Sequence, residues 1–167
     1  RDLRMSRGLG DVYKRQVNRV DSMDSDADVV VVFGGTNDFG HGDAKLGTFE
    51  SRDPYTFYGA MHVLCEKLIN RFPNADILFM TPLHRCSEDE VSKENGLPEE
   101  TNLAGYVSII REVAEFYGLP VLDLFSTSGL QPKVDIIKET YMPDGLHPSD
   151  AGALRIALRL MGFLQTL

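Results

Sequence analysis

Val29-Val30-Val31-Val32-Phe33-Gly34-Gly35-Thr36-Asn37-Asp38 is the stretch from which the fold is read. Five consecutive β-branched or aromatic residues have neither the three-to-four-residue spacing of a helix face nor an apolar–polar alternation. Bounded by glycine, they predict a strand buried on both faces, as in a parallel sheet. Gly34-Gly35 lets the backbone turn tightly just past the strand. Asn37 can then aim a side-chain N–H into a cleft, as an oxyanion donor would. Taken alone, the segment also reads as a plain Gly-Asn-Asp turn. It is not a nucleotide motif. A dinucleotide fingerprint needs glycine where Thr36 stands, and a phosphate loop over Gly35 to Gly40 needs Lys and Ser or Thr where His41-Gly42 stand.

Strand and helix alternate from there on. A helix is predicted over 54–71, with Phe57, Met61, Leu64 and Leu68 on one face, ended by Pro73-Asn74. A second strand covers 75–80 and closes on Thr81-Pro82. Residues 84–100 read as a polar surface loop, with His84 a loop residue near the cleft mouth. A second helix is predicted over 100–117 and ends at Gly118 and Pro120. A third strand covers 121–125, a short helix 134–139, and a last helix 149–164, capped by Ser149 or Asp150. This order predicts an α/β three-layer sandwich with a parallel sheet. Ligands of such sheets bind beyond the carboxyl ends of the strands. Here those ends carry 34–38, Thr81-Pro82 and 126–129.

The 167 residues amount to one domain, 43% hydrophobic. A net charge of -8 argues against nucleic acid as a partner. No apolar run approaches the ~20 residues of a membrane span. Cys65 and Cys86 read as free thiols without a CxxC spacing. His41, Asp43 and His62 lack the helical spacing of a zinc site, so neither metal nor cofactor is expected; His62 reads as a surface or packing residue. Tyr55, Phe57 and Tyr58 border an acyl pocket or belong to the core. Residues 1–16 hold five basic and two acidic side chains in an acidic chain and show no periodicity. They read as non-native, adapter-like sequence or as a native basic arm. Set aside, they leave 17–167 as the domain.

Asp144-Gly145-Leu146-His147-Pro148 precedes the last helix. A carboxylate three residues before a histidine can accept its Nδ1–H, fix the tautomer and stabilise the imidazolium formed in general-base catalysis. The plainer reading is an Asp-Gly turn with a histidine near a helix start. The two blocks together, in this order and each at a strand or helix boundary, resemble those of the SGNH/GDSL hydrolases over 28–167. That resemblance implies a flavodoxin-like three-layer fold and ester hydrolysis through a Ser-His-Asp triad. It implies Asn37 as the oxyanion side chain, Asp144 as the orienting carboxylate and His147 as the base. Gly35 and Thr36 then face substrate, and Asp38 holds the loop. The implied substrate is a small-molecule ester, an acetylated carbohydrate being one candidate, with no cofactor.

The chain departs from that family in one respect. The nucleophilic serine of the family sits in a Gly-Asp-Ser block after the first strand, upstream of the block found here, and a glycine of a second block adds an oxyanion N–H. Neither occurs. Residues 17–27 are too few for a βαβ unit of roughly 30 residues, and no GxSxG elbow is present. Ser22 and Ser25 precede the strand, Ser126 and Ser128 follow the third, and Ser149 is a cap; none is assigned as nucleophile. The expectation is a domain lacking its first strands and with little activity of its own. It would have an open edge at 29–33, covered only by residues 1–16 or by self-association. A non-catalytic α/β binding module using the same cleft is the alternative.

Overall fold

The computed structural model describes residues 16–41, 45–90 and 101–167. Strand β1 (Val29–Phe33) pairs in parallel with β2 (Asp76–Met80), Val30 opposite Ile77 and Val32 opposite Phe79. Strand β2 pairs in parallel with β3 (Val121–Leu122). The sheet order is therefore β1-β2-β3. Helix α1 (Thr36–His41) follows β1, α2 (Phe57–Arg71) leads back to β2, and α3 (Leu103–Phe116) leads to β3. Beyond β3 come α4 (Leu124–Thr127), α5 (Asp135–Tyr141) and α6 (Asp150–Leu164).

Alternation along the strands assigns the layers. Val30, Val32, Ile77 and Phe79 point to one face and pack with Phe57, Met61, Leu64 and Leu68 of α2 and Ile110 and Val113 of α3. Leu78, Met80 and Leu122 point to the other, against Leu124, Leu130, Met142 and the half-buried Ile156, Leu160 and Phe163. The molecule is thus an α/β/α sandwich. Fully burying one such side chain stabilises by about 1.5–3 kcal/mol, so Leu64→Ala, in the middle of α2, should cost about 2–5 kcal/mol. Helix starts are fixed by side-chain caps: Thr56 accepts from Gly59 N, Asn102 from Gly105 N and Ser149 from Gly152 N. These caps explain why α2 and α3 begin at Phe57 and Leu103, about three residues later than their patterns suggest.

Strand β1 corrects the sequence reading. Its run is buried on one face only: Val30 and Val32 are buried, whereas Val29, Val31 and Phe33 are 40–48% exposed. The second helical layer packs on β2 and β3 and leaves the β1 residues of that face uncovered. Apolar alternation is invisible in sequence when the outward residues are valine too. Among the described residues only β2 pairs with β1, which leaves its other edge unpaired among them, as expected. A groove bordered by Arg19, Val20 and Met23 runs along it. Of the expected cover, residues 1–16, all but Gln16 lie outside the described residues, as do Asp43 and the loop tip 91–100.

Two further elements differ. The third strand stops at Leu122, because Asp123 caps the helical turn α4 and also accepts from Thr81 Oγ1 at 2.9 Å and Arg111 Nη2 at 2.6 Å. The segment read as a turn after Gly35 forms α1. Among the described residues, no helix is long and apolar enough to cross a membrane.

Candidate active site

The turn between α5 and α6 folds around one carboxylate. Asp144 Oδ1 accepts the backbone N–H of Leu146 at 2.8 Å and of His147 at 2.7 Å, and its Oδ2 accepts His147 Nδ1–H at 2.6 Å. Gly145 sits at φ +76°, where a side chain is strained, and a Cβ there would stand 2.6 Å from Cys86 Sγ. Gly145 N donates to Met142 O and Ser149 N to Tyr141 O, which anchors the turn on α5. The hydrogen bonds from the His147 side chain and from the two backbone N–H groups hold the Asp144 carboxyl down to about 2. It is ionised at neutral pH. The Nδ1–H tautomer of His147 follows from the carboxylate it faces, and Nε2 is left as an acceptor on an exposed ring. That is the arrangement of a general base.

The other predicted half lies at the carboxyl end of β1. Gly35 has φ +103°, and a Cβ would approach Ile110 Cδ1 to 3.1 Å and Pro82 Cγ to 3.3 Å. The loop therefore presses onto α3 and the end of β2, a packing open only to glycine. Phe39 N donates to Gly35 O and starts α1. Thr36 is half-buried, Asn37 is exposed on the first turn of α1, and Asp38 is buried.

A three-residue segment after β2 touches both halves. Arg85 Nη1 donates to Thr36 O at 3.3 Å, and Cys86 N donates to Gly145 O at 2.9 Å. The Asn37 loop and the Asp144–His147 turn are thus tied to adjacent residues at the mouth of one sheet. His84, next in line, presents Nδ1 to Glu88 Oε2 at 2.6 Å and stacks on Phe125, with ring centroids 3.9 Å apart. Glu88 is buried and also accepts from Arg85 N, Gln131 Nε2 and Lys133 Nζ. Burial pushes its carboxyl up, but the bonds from Lys133, His84 and Gln131 outweigh this and bring it down to about 2. Sequence reading missed Glu88, Arg85 and the contact of Cys86. The one available signal was His84 and Glu88 spaced by four just past a strand end.

The remaining candidates serve the fold. Ser126 Oγ accepts from Arg111, Ser128 is buried and accepts from Leu130 N, and Ser149 caps α6. Among the described residues, no serine hydroxyl is hydrogen-bonded to His147. His62 is fully buried, within reach of Tyr117 OH at 3.0 Å and edge-on to Phe49 and Phe116. It is a packing residue, not a surface one. Phe57 belongs to the core, Tyr58 donates to Glu112, and Tyr55 is exposed. Cys65 and Cys86 are free thiols. Among the described residues, no group of three or more His, Cys, Asp or Glu is placed to hold a metal ion.

Comparison with known proteins adds a family to this geometry. The model of the GDSL-like lipase/acylhydrolase family matches residues 4–155. One crystal structure is 40% identical over 90% of this chain and 70% of its own, with a TM-score of 0.80. A Lactobacillus plantarum protein is 32% identical over 90% and 72%, with a TM-score of 0.78. The lipase/acylhydrolase from Enterococcus faecalis is 22% identical over 94% and 72%, with a TM-score of 0.60. A carbohydrate esterase family 3 protein from Talaromyces cellulolyticus is 15% identical over 95% and 67%, with a TM-score of 0.61. At those identities the last two share the fold alone. A search of curated proteins finds no match.

Proposed function

Because the chain belongs to the GDSL-like lipase/acylhydrolase family, we propose that Asn37, Asp144 and His147 are its share of a serine ester hydrolase site. The serine comes from polypeptide outside these 167 residues. That serine attacks the ester carbonyl while His147 Nε2 takes its proton and Asp144 stabilises the imidazolium. Asn37 and backbone N–H groups of the Gly35-Thr36 loop bind the oxyanion, each donor contributing about 2.7–4 kcal/mol to the transition state. Water then releases the acyl group by the reverse proton path. A small acyl ester, such as the acetyl ester of a carbohydrate, is the substrate class assigned.

One observation carries this reading: an ionised Asp144 fixes Nδ1–H of an exposed His147, in a turn that Cys86 ties beside the Arg85–Thr36 contact. The open edge of β1, and the 70% and 72% of the two more similar structures that the chain covers, support a serine supplied from elsewhere.

Labelling with a fluorophosphonate tests both parts. The 167-residue chain should stay unlabelled. The polypeptide extended upstream by a βαβ unit of roughly 30 or more residues should be labelled on serine, at least about a hundredfold more slowly in His147→Ala. A His147-dependent adduct on a serine of the present chain would overturn the external nucleophile. An extended polypeptide that never labels would overturn the esterase and favour a binding module.

A further inference from the structure

Arg85 has no part in the acid–base chemistry above. Its Nη1 donates to Thr36 O at 3.3 Å, its Nε donates to Ser87 Oγ at 3.1 Å, and its guanidinium carbon lies 5.4 Å from the centre of the Phe39 ring. Gly40 leaves the head its room, since a Cβ there would come within 2.8 Å of Nη1. The side chain is half-buried.

The chain has 25 Asp and Glu against 17 Lys and Arg, so carboxylates are in excess. Three of those near the site are engaged elsewhere: Glu88 with His84 and Lys133, Asp89 with Lys133, Asp144 with His147. Among the described residues, no carboxylate reaches ion-pair distance of Arg85. Its burial lowers the guanidinium pKa, and the charge of Glu90 opposes this only from a distance. Neutral acceptors recover part of the solvation that a half-buried cation loses, but not all of it. Two of the five N–H groups are used by Thr36 and Ser87, which leaves three in a planar fork suited to a carboxylate or phosphate.

The position matters as much as the charge. Arg85 touches the residue before Asn37, and its neighbour Cys86 touches the residue after Asp144. Residue 85 therefore sits in the segment that joins the two halves of the site, with its guanidinium against the Thr36–Gly40 side. We propose that Arg85 binds an oxyanion, a carboxylate or phosphate, carried by the acyl or alcohol half of the ester, and so selects acidic esters. That the anion is part of an ester rests on the esterase reading; the anion site itself does not.

The test follows the Arg85 Nε–H resonance of the full 167-residue chain by NMR at constant ionic strength. The probes are monomethyl succinate and methyl phosphate, with methyl acetate as neutral control. A saturable shift with an acidic probe and none with methyl acetate is expected. Binding should be at least about tenfold weaker in Arg85→Gln, whose amide can keep the bond to Thr36 O. Response to one acidic probe alone assigns the group as carboxylate or as phosphate. No saturable response to either, or equal binding in Arg85→Gln, overturns the proposal. If Arg85→Gln does not fold, the wild-type resonance decides. No serine chemistry enters the measurement, so it stands or falls apart from the esterase.

Discussion

His147 and His84 each present Nδ1 to a carboxylate at 2.6 Å, and their surroundings are opposite. The side chains of His147 and Asp144 are 76% and 54% exposed; those of His84 and Glu88 are 22% and 9% exposed. The second oxygen of Asp144 accepts N–H groups of its own turn. The second oxygen of Glu88 accepts from Gln131 and Lys133, more than forty residues on, while Glu88 O holds Leu103 N at the start of α3. The first pair is local and leaves the imidazole's other nitrogen open. The second joins three segments of the chain. A short histidine–carboxylate contact therefore occurs here in two settings, and exposure and the partners of the carboxylate tell them apart.

Substitutions can break that contrast. The largest effect is expected for Glu88→Gln, about 3 kcal/mol by urea unfolding, because Lys133 and His84 lose the charge they face. Destabilisation below about 1 kcal/mol would reduce Glu88 to a surface pair. The same contact sets an acid limit. The Glu88 carboxyl is lowered from 4.5 to about 2 in the folded chain. Its stabilisation is complete above about pH 4.5 and is lost as pH falls towards 2. Unfolding measured from pH 6 to pH 2.5 should show this loss in the wild type and a flatter profile in Glu88→Gln; parallel profiles would remove Glu88 as the cause.

Gly145→Ala comes next, at about 1–3 kcal/mol, for the positive φ and the Cys86 contact. A neutral result would mean that Cys86 does not brace the turn. Asp144→Asn should change stability least, by under about 1 kcal/mol, since the pair is exposed. Its effect should appear instead in the ring nitrogens of His147, whose 15N shifts should report loss of the single Nδ1–H tautomer. An unchanged tautomer would separate Asp144 from the orientation of His147.

The same division explains what the sequence disclosed. The strand–helix order and the Asp144–His147 pair depend on neighbours within a few residues, and their patterns are local. The one-sided burial of β1 was hidden because Val29, Val31 and Phe33 match Val30 and Val32 in character. The end of β3 at Leu122 was hidden because Asp123 takes its partners from Thr81 and Arg111. Glu88 and Arg85 looked like solvated loop charges. Only the folded chain brings Lys133 and Gln131 to the first and, among the described residues, leaves the second without an ion pair.

Hydrolysis of p-nitrophenyl acetate by the upstream-extended polypeptide tests the assignment most directly, with His147→Ala and His84→Ala compared side by side. His147→Ala should lower kcat by at least about a thousandfold, while His84→Ala should stay within about tenfold of wild type. Equal losses in the two variants, or a greater loss in His84→Ala, would contradict it.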